Sequence, residues 1–218
     1  MEGKIHLKFL RKDFIIYLFP PALIISCYLI FHFFTSLWGD KQGYLVGMIF
    51  YWLVGCILPV LLWISKGNRK LLLRITKVNW WQIMLLTIPV VLALFFGPFR
   101  SGIHDATALI MFLSLPYTFA NAFSEEFLWR GLFFDHHQGN FFYAVFVPAL
   151  WFAIWHYVPL SVHPASVGNL YVILSAVGLG LCWGAVTFYT RSIFWSIVSH
   201  TLVDFTGIGM LYYFSWIV

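Results

Sequence analysis

Charge is what this chain has least of. Charged residues make up 10% of its 218 positions, where an average soluble domain carries about 25%. Only eight are acidic. That scarcity excludes a water-soluble globule, which would have too little polar surface to cover itself. Cysteine is scarce too. Cys27, Cys56 and Cys182 each sit inside an apolar run, with no CxxC pair and no Cys/His metal spacing. They read as core residues and exclude a disulfide scaffold. Strand-like alternation is missing, which argues against a membrane β-barrel. There is no internal repeat, no low-complexity linker and no loop long enough for a soluble domain. Whatever the chain does is therefore expected to happen inside a membrane.

What is present is apolar sequence, 61% of the chain. A bilayer forces backbone polar groups to pair within the segment, so long apolar runs become helices. An all-α polytopic membrane helix bundle follows. Seven spans are expected: Phe14 to Trp38 with Pro20-Pro21 near its start, Gly43 to Ser65, Trp80 to about Gly97, one from Ala106, Phe141 to Leu160, Gly168 to Thr190, and Ser192 to about Trp216. Six or eight follow if a long segment breaks. Gly39 to Gln42 reads as a short loop, Pro98 to Asp105 as a turn, and Gly131 to Asn140 as an interfacial helix with a turn. The first apolar run is too long for a signal-peptide core and reads as a retained anchor. Gly43…Gly47 and Gly180…Gly184 match small-xxx-small helix packing.

The net charge of +5 does not mark a nucleic-acid binder, because the basic residues cluster beside apolar runs. They are a topology signal. With the N-terminus cytoplasmic, Lys4, Lys8, Arg11, Lys12, Lys66, Arg69, Lys70, Arg74, Lys77, Arg130 and Arg191 fall on the inner side. Only Lys41 and Arg100 fall outside. Eleven of the thirteen basic residues thus obey the positive-inside rule.

Against this background six polar residues stand out within spans: Glu125, Glu126, Arg130, His156, His200 and Asp204. An ionised side chain at the centre of a membrane helix costs about 2.5–3.5 kcal/mol even on lenient scales. The pairs Glu126/Arg130, Phe152/His156 and His200/Asp204 are each four residues apart, one helical turn on one face. Glu126 and Arg130 are in the favourable order for an ion pair. Glu125 is rotated about 100° from Glu126 and can address a neighbouring helix. The bland reading of each pattern alone is a solvated helix end, a hydrogen-bonded packing histidine, or, for Phe152, aromatic packing. His6, His104, His136, His137 and His163 read as surface or interface groups. Three patterns in three spans favour a site. A carboxylate near two imidazoles can take a proton from water, with the histidines, one of them oriented by Asp204, steadying an oxyanion. Alternatively His156, His200 and a carboxylate can hold a divalent metal with one position open for water.

The motifs Glu125-Glu126-x-x-x-Arg130, Phe152-x-x-x-His156 and His200-x-x-x-Asp204, in this order, resemble those of the CAAX-protease and bacteriocin-processing family, the CPBP or Abi proteins. The resemblance covers Ala106 to the C-terminus. It divides one compact membrane domain into residues 1–105, three spans that resemble nothing named, and a core of 106–218. The resemblance implies an intramembrane endopeptidase. Eukaryotic members of the family cut the last three residues from prenylated CAAX proteins. By the same resemblance Glu125 activates water, His156 and His200 contribute, and Asp204 stands where Asn is common. An ionised Asp cannot donate a hydrogen bond, so an orienting or ligand role suits Asp204 better than oxyanion donation. The family mechanism is divided between a metal-dependent form, with zinc or another divalent ion on Glu125, His156, His200 and Asp204, and a glutamate-dependent form. The short loops resemble a compact prokaryotic member of the cell membrane. The expected partners are a membrane-embedded or lipidated peptide or protein substrate and membrane lipids, with no nucleic acid. Two other readings compete: a non-catalytic immunity or scaffold protein of the same fold, and a proton-coupled transporter, which the lack of inverted repeats and of a broken-helix pair disfavours.

Overall fold

The computed structural model describes residues 14–96, 107–165 and 168–207. The basic arm at Lys4, Lys8, Arg11 and Lys12, the turn expected over Pro98 to Asp105 and the expected end of the last span near Trp216 lie outside the described residues. All regular structure is helical, with no strand among the described residues. The protein is a polytopic helical membrane bundle.

Helix α1, Phe19–Trp38, starts with its two prolines in the first turn, where a missing N–H is tolerated because the turn leaves it unpaired anyway. A π-helical turn, Phe14–Leu18, precedes it. Gly39, at φ +82°, reverses the chain, and α2, Asp40–Trp63, begins at the next residue. The loop expected over Gly39 to Gln42 is thus a single glycine. Asp40 extends α2 because a carboxylate in the first turn complements the helix dipole. The hairpin packs closely: a Cβ at Gly43 would collide with the Thr35 backbone, and one at Gly47 with the Phe31 ring.

Helix α3, Lys66–Leu72, is short and basic, and Ser65 caps it by accepting from the Asn68 N–H at 3.2 Å. An extended segment leads to α4, Trp80–Phe96. Helix α5, Ala108–Glu125, is capped by Thr107, which accepts from Ile110 N–H. It runs without a break through a π-helical stretch, Glu126–Leu132, into a last turn, Phe133–His136. The interfacial helix expected from Gly131 is therefore the buried end of α5, and His137, expected at the surface, is buried with it. Helix α6, Phe142–Val162, is interrupted at His156. Pro159 explains the break, since its ring crowds the Trp155 carbonyl one turn back and offers it no N–H. Helices α7, Asn169–Thr190, and α8, Phe194–Gly207, complete the bundle.

Helices α1, α2, α6 and α7 are long and apolar enough to cross a membrane, and α4 is a shorter apolar helix. Helix α7 packs on α6 through its glycines: a Cβ at Gly180 would press on Ala149, and one at Gly184 on Val145. Helix α8 packs against α4 and α5. One end of the bundle is laced together by polar contacts. Ser192 Oγ lies 2.9 and 2.7 Å from the carbonyls of Leu72 and Arg74. Ile193 N–H donates to Leu72 O, and Trp195 Nε1 to Thr76 O. The Asn68 amide donates to Asp135 at 2.7 Å. At the opposite end His163 packs edge-on to Tyr44, and burial holds its imidazole below the usual range while nearby Asp40 pulls the other way.

Candidate active site

The π-helical stretch starts at Glu126, so the two adjacent glutamates straddle the change from α to π winding. Such widened turns recur at functional sites. From Glu125 the helix continues to His136, about 16 Å at 1.5 Å per residue, so the acids lie deep within the bundle. Glu125, Glu126, Arg130, His200 and Asp204 are all buried, and His156 is half-buried.

Each glutamate faces a different way. Glu126 Oε1 lies 2.9 Å from Arg130 Nη1 on its own helix and 2.8 Å from His200 Nδ1 on α8. Arg130 is held in turn by aromatic faces, its Cζ 4.3 Å above Phe152 and 5.1 Å above Trp183. A buried guanidinium over a ring gains about 1–2 kcal/mol. Phe152 thus packs as an aromatic, as expected, and what it packs is the site's cation. It also stands edge-on to His156 at 4.6 Å.

Glu125 points to α6 and α8. Its Oε1 accepts from Trp155 Nε1 at 3.0 Å, and its Oε2 accepts from Asn121 Nδ2 at 3.2 Å. His200 Nε2 is 3.5 Å from the same Oε2 and 3.4 Å from Asp204 Oδ1. The His200 ring lies flat on Trp183, centroids 4.1 Å apart. His200 is therefore the hub: one nitrogen faces Glu126, the other faces Glu125 and Asp204. His156 sits at the break in α6, where its Nδ1 contacts the Phe152 carbonyl at 2.7 Å.

Four further residues were not foreseen. Asn121 donates to Glu125 and, at 2.8 Å, to Asp204 Oδ2, and its own oxygen accepts from Trp52 Nε1 at 2.8 Å. Trp155 and Trp183 act as described above. Tyr51 stacks on Trp155 at 3.5 Å and accepts from Trp129 Nε1, which fixes the indole that serves Glu125. Only Asn121 left a sequence signal, as a lone amide one turn before Glu125.

A resident metal was tested against these donors. Among the described residues no group of three or more His, Cys, Asp or Glu side chains is placed to hold a metal ion. Both Glu125 oxygens and Asp204 Oδ2 accept from indole and amide N–H groups, and Glu126 Oε1 faces a guanidinium. As arranged, the residues do not fit a metal, and no step is derived through one. Among the described residues, two carboxylate oxygens, Glu126 Oε2 and Asp204 Oδ1, are buried without a hydrogen-bond donor.

Residues 106–206 match the family model described as "Type II CAAX prenyl endopeptidase Rce1-like". The matched region holds all six motif residues and is similar to that family over just under half of the chain. Neither the curated proteins nor the solved structures contain a match to the chain.

Proposed function

We propose that the chain is an intramembrane endopeptidase, cutting a peptide bond in a membrane-embedded or lipidated substrate with Glu125 as the base. The observation that carries this reading is the buried carboxylate of Glu125, gripped by Trp155 and Asn121 and faced by His200. A water beside Glu125 gives it a proton while its oxygen attacks the scissile carbonyl carbon. The carbonyl becomes an oxyanion, and an N–H of His200 faces the growing negative charge. Glu125 then passes its proton to the departing amine as the C–N bond breaks. Glu126 and Arg130 hold His200 from behind through the Nδ1 contact. Asp204 Oδ1 offers a lone pair to water or substrate, an orienting role that fits an acid. The threading with a cytoplasmic N-terminus puts the polar-laced end, with Arg74 and Arg191, on the inner side.

The test uses purified protein in proteoliposomes with two fluorogenic peptides, one farnesylated at a CAAX terminus and one apolar without lipid. Glu125→Gln should lower kcat by about 10²–10⁴-fold, the usual contribution of a general base. Activity should survive a metal chelator. Full cleavage by a folded Glu125→Gln variant overturns the reading and leaves the non-catalytic scaffold in its place. Loss of activity to the chelator would restore the metal-dependent form.

A further inference from the structure

A cavity of about 180 Å³ opens at the polar-laced end of the bundle, between α3, the end of α5 and the α7–α8 turn. It shares no residue with the candidate active site. Its walls carry two guanidiniums, Arg74 and Arg191, and the amides of Asn68 and Gln138. Leu72 and Phe134, both buried, line it as well. Asp135 is the one acid there, and it already accepts from the Asn68 amide at 2.7 Å. Among the described residues neither Arg74 nor Arg191 has a carboxylate partner within ion-pair distance.

Two features fix this geometry. The segment bearing Arg74 is tied to the α7–α8 turn through Ser192, Ile193 and Trp195, so the backbones that carry the two exposed arginines are fixed relative to each other. Arg191 itself adopts the left-handed conformation, φ 56° and ψ 33°, just past the end of α7. Glycine is the usual residue there, because a Cβ is strained. A helix C-terminus also carries partial negative charge, and an arginine at this point reverses that sign at the cavity wall.

We infer that this cavity binds a phosphate group, by paired guanidinium contacts from Arg74 and Arg191. Guanidinium matches phosphate with two parallel N–H donors, and the remaining amides can satisfy the other oxygens. The position suits the headgroup of an anionic phospholipid. Leu71 and Ile75 beside the cavity are 56% and 70% exposed, and the flanking Lys66, Lys70 and Lys77 give the basic and apolar mixture of an interfacial segment. Free inorganic phosphate has the same chemistry.

The experiment is thermal unfolding of the full chain in neutral detergent, titrated with short-chain phosphatidylglycerol, short-chain phosphatidylcholine or inorganic phosphate. Phosphatidylglycerol should raise Tm in the wild type, and Arg74→Gln should weaken its apparent affinity by about tenfold, as expected for a charge-assisted contact. Arg191→Gly is the decisive variant. It relieves backbone strain, so the ligand-free Tm should hold or rise, while the phosphatidylglycerol response falls. If inorganic phosphate alone gives the same shift, lost in the same variants, the site takes free phosphate. If Lys66→Gln or Lys77→Gln weakens the response as much as the arginine changes, binding is diffuse surface attraction and the inference fails. An unchanged response in Arg191→Gly overturns it as well.

Discussion

The α1–α2 hairpin and the cluster shared by α5, α6 and α8 are both hidden from water, yet they are held in different ways. In the hairpin the fit is one of shape. Gly43 and Gly47 let two backbones approach until Thr35 and Phe31 fill the space. In the cluster the fit is one of donors and acceptors. Three carboxylates, a guanidinium and an imidazole occupy the interior, with indole and amide N–H groups spread among them. Lipid offers no hydrophobic drive between helices, so each region depends on the one thing it has made complementary. Volume should matter in the first and hydrogen-bond partnership in the second.

The largest expected effect is on chemistry, the Glu125→Gln loss set out above, with a smaller loss of stability because the amide nitrogen faces one of the two N–H donors that the carboxylate accepts from. Next comes Arg130→Met. It leaves Glu126 buried without its cation, and breaking a buried pair in this way costs about 3–5 kcal/mol, read as a fall in Tm in detergent. A neutral outcome would show that aromatic packing alone sustains the cluster and would erase the contrast with the hairpin. Asn121→Ala removes the donor common to Glu125 and Asp204. It should cut kcat by about 10- to 100-fold, the scale of one charge-assisted hydrogen bond of ~1.5–3 kcal/mol, and partial rescue by Asn121→Ser would tie the loss to donation. Gly43→Ala tests the other side. Overpacking should destabilise by about 1–3 kcal/mol without changing kcat in the folded fraction, and a shift in kcat would mean the hairpin and site are coupled. The smallest effect is expected from Phe152→Leu, about 1 kcal/mol from the lost ring face under Arg130.

The sequence made the bundle legible because apolar run length maps directly onto helices in a membrane. It made half of the site legible for a similar reason. Charges are so few that Glu125, Glu126, Arg130, His200 and Asp204 stood out, and their four-residue spacing matched the Glu126–Arg130 ion pair found. The rest was hidden in residues that serve two purposes. The chain has eleven tryptophans, and nothing local tells Trp52, Trp155 and Trp183, which orient or stack on site residues, from those that face lipid. Asn121 makes its contact with Asp204 across 83 positions of chain, beyond any helical spacing. The continuation of α5 past Gly131 was missed because the aromatic and polar mixture there resembles an interface, whereas those side chains face inward from a helix end.

Pro159 has a consequence for proton placement. By bending α6 at His156, it leaves the Phe152 carbonyl without its regular backbone donor, since the His156 N–H turns to Ala153 at 3.2 Å. The imidazole fills the gap, and a carbonyl can only accept, so the ring hydrogen must reside on Nδ1. The neutral tautomer of His156 is thereby chosen, with a bare lone pair at Nε2. Whichever species meets that nitrogen has to bring its own hydrogen, and the selection is made by a proline ring three residues along the chain.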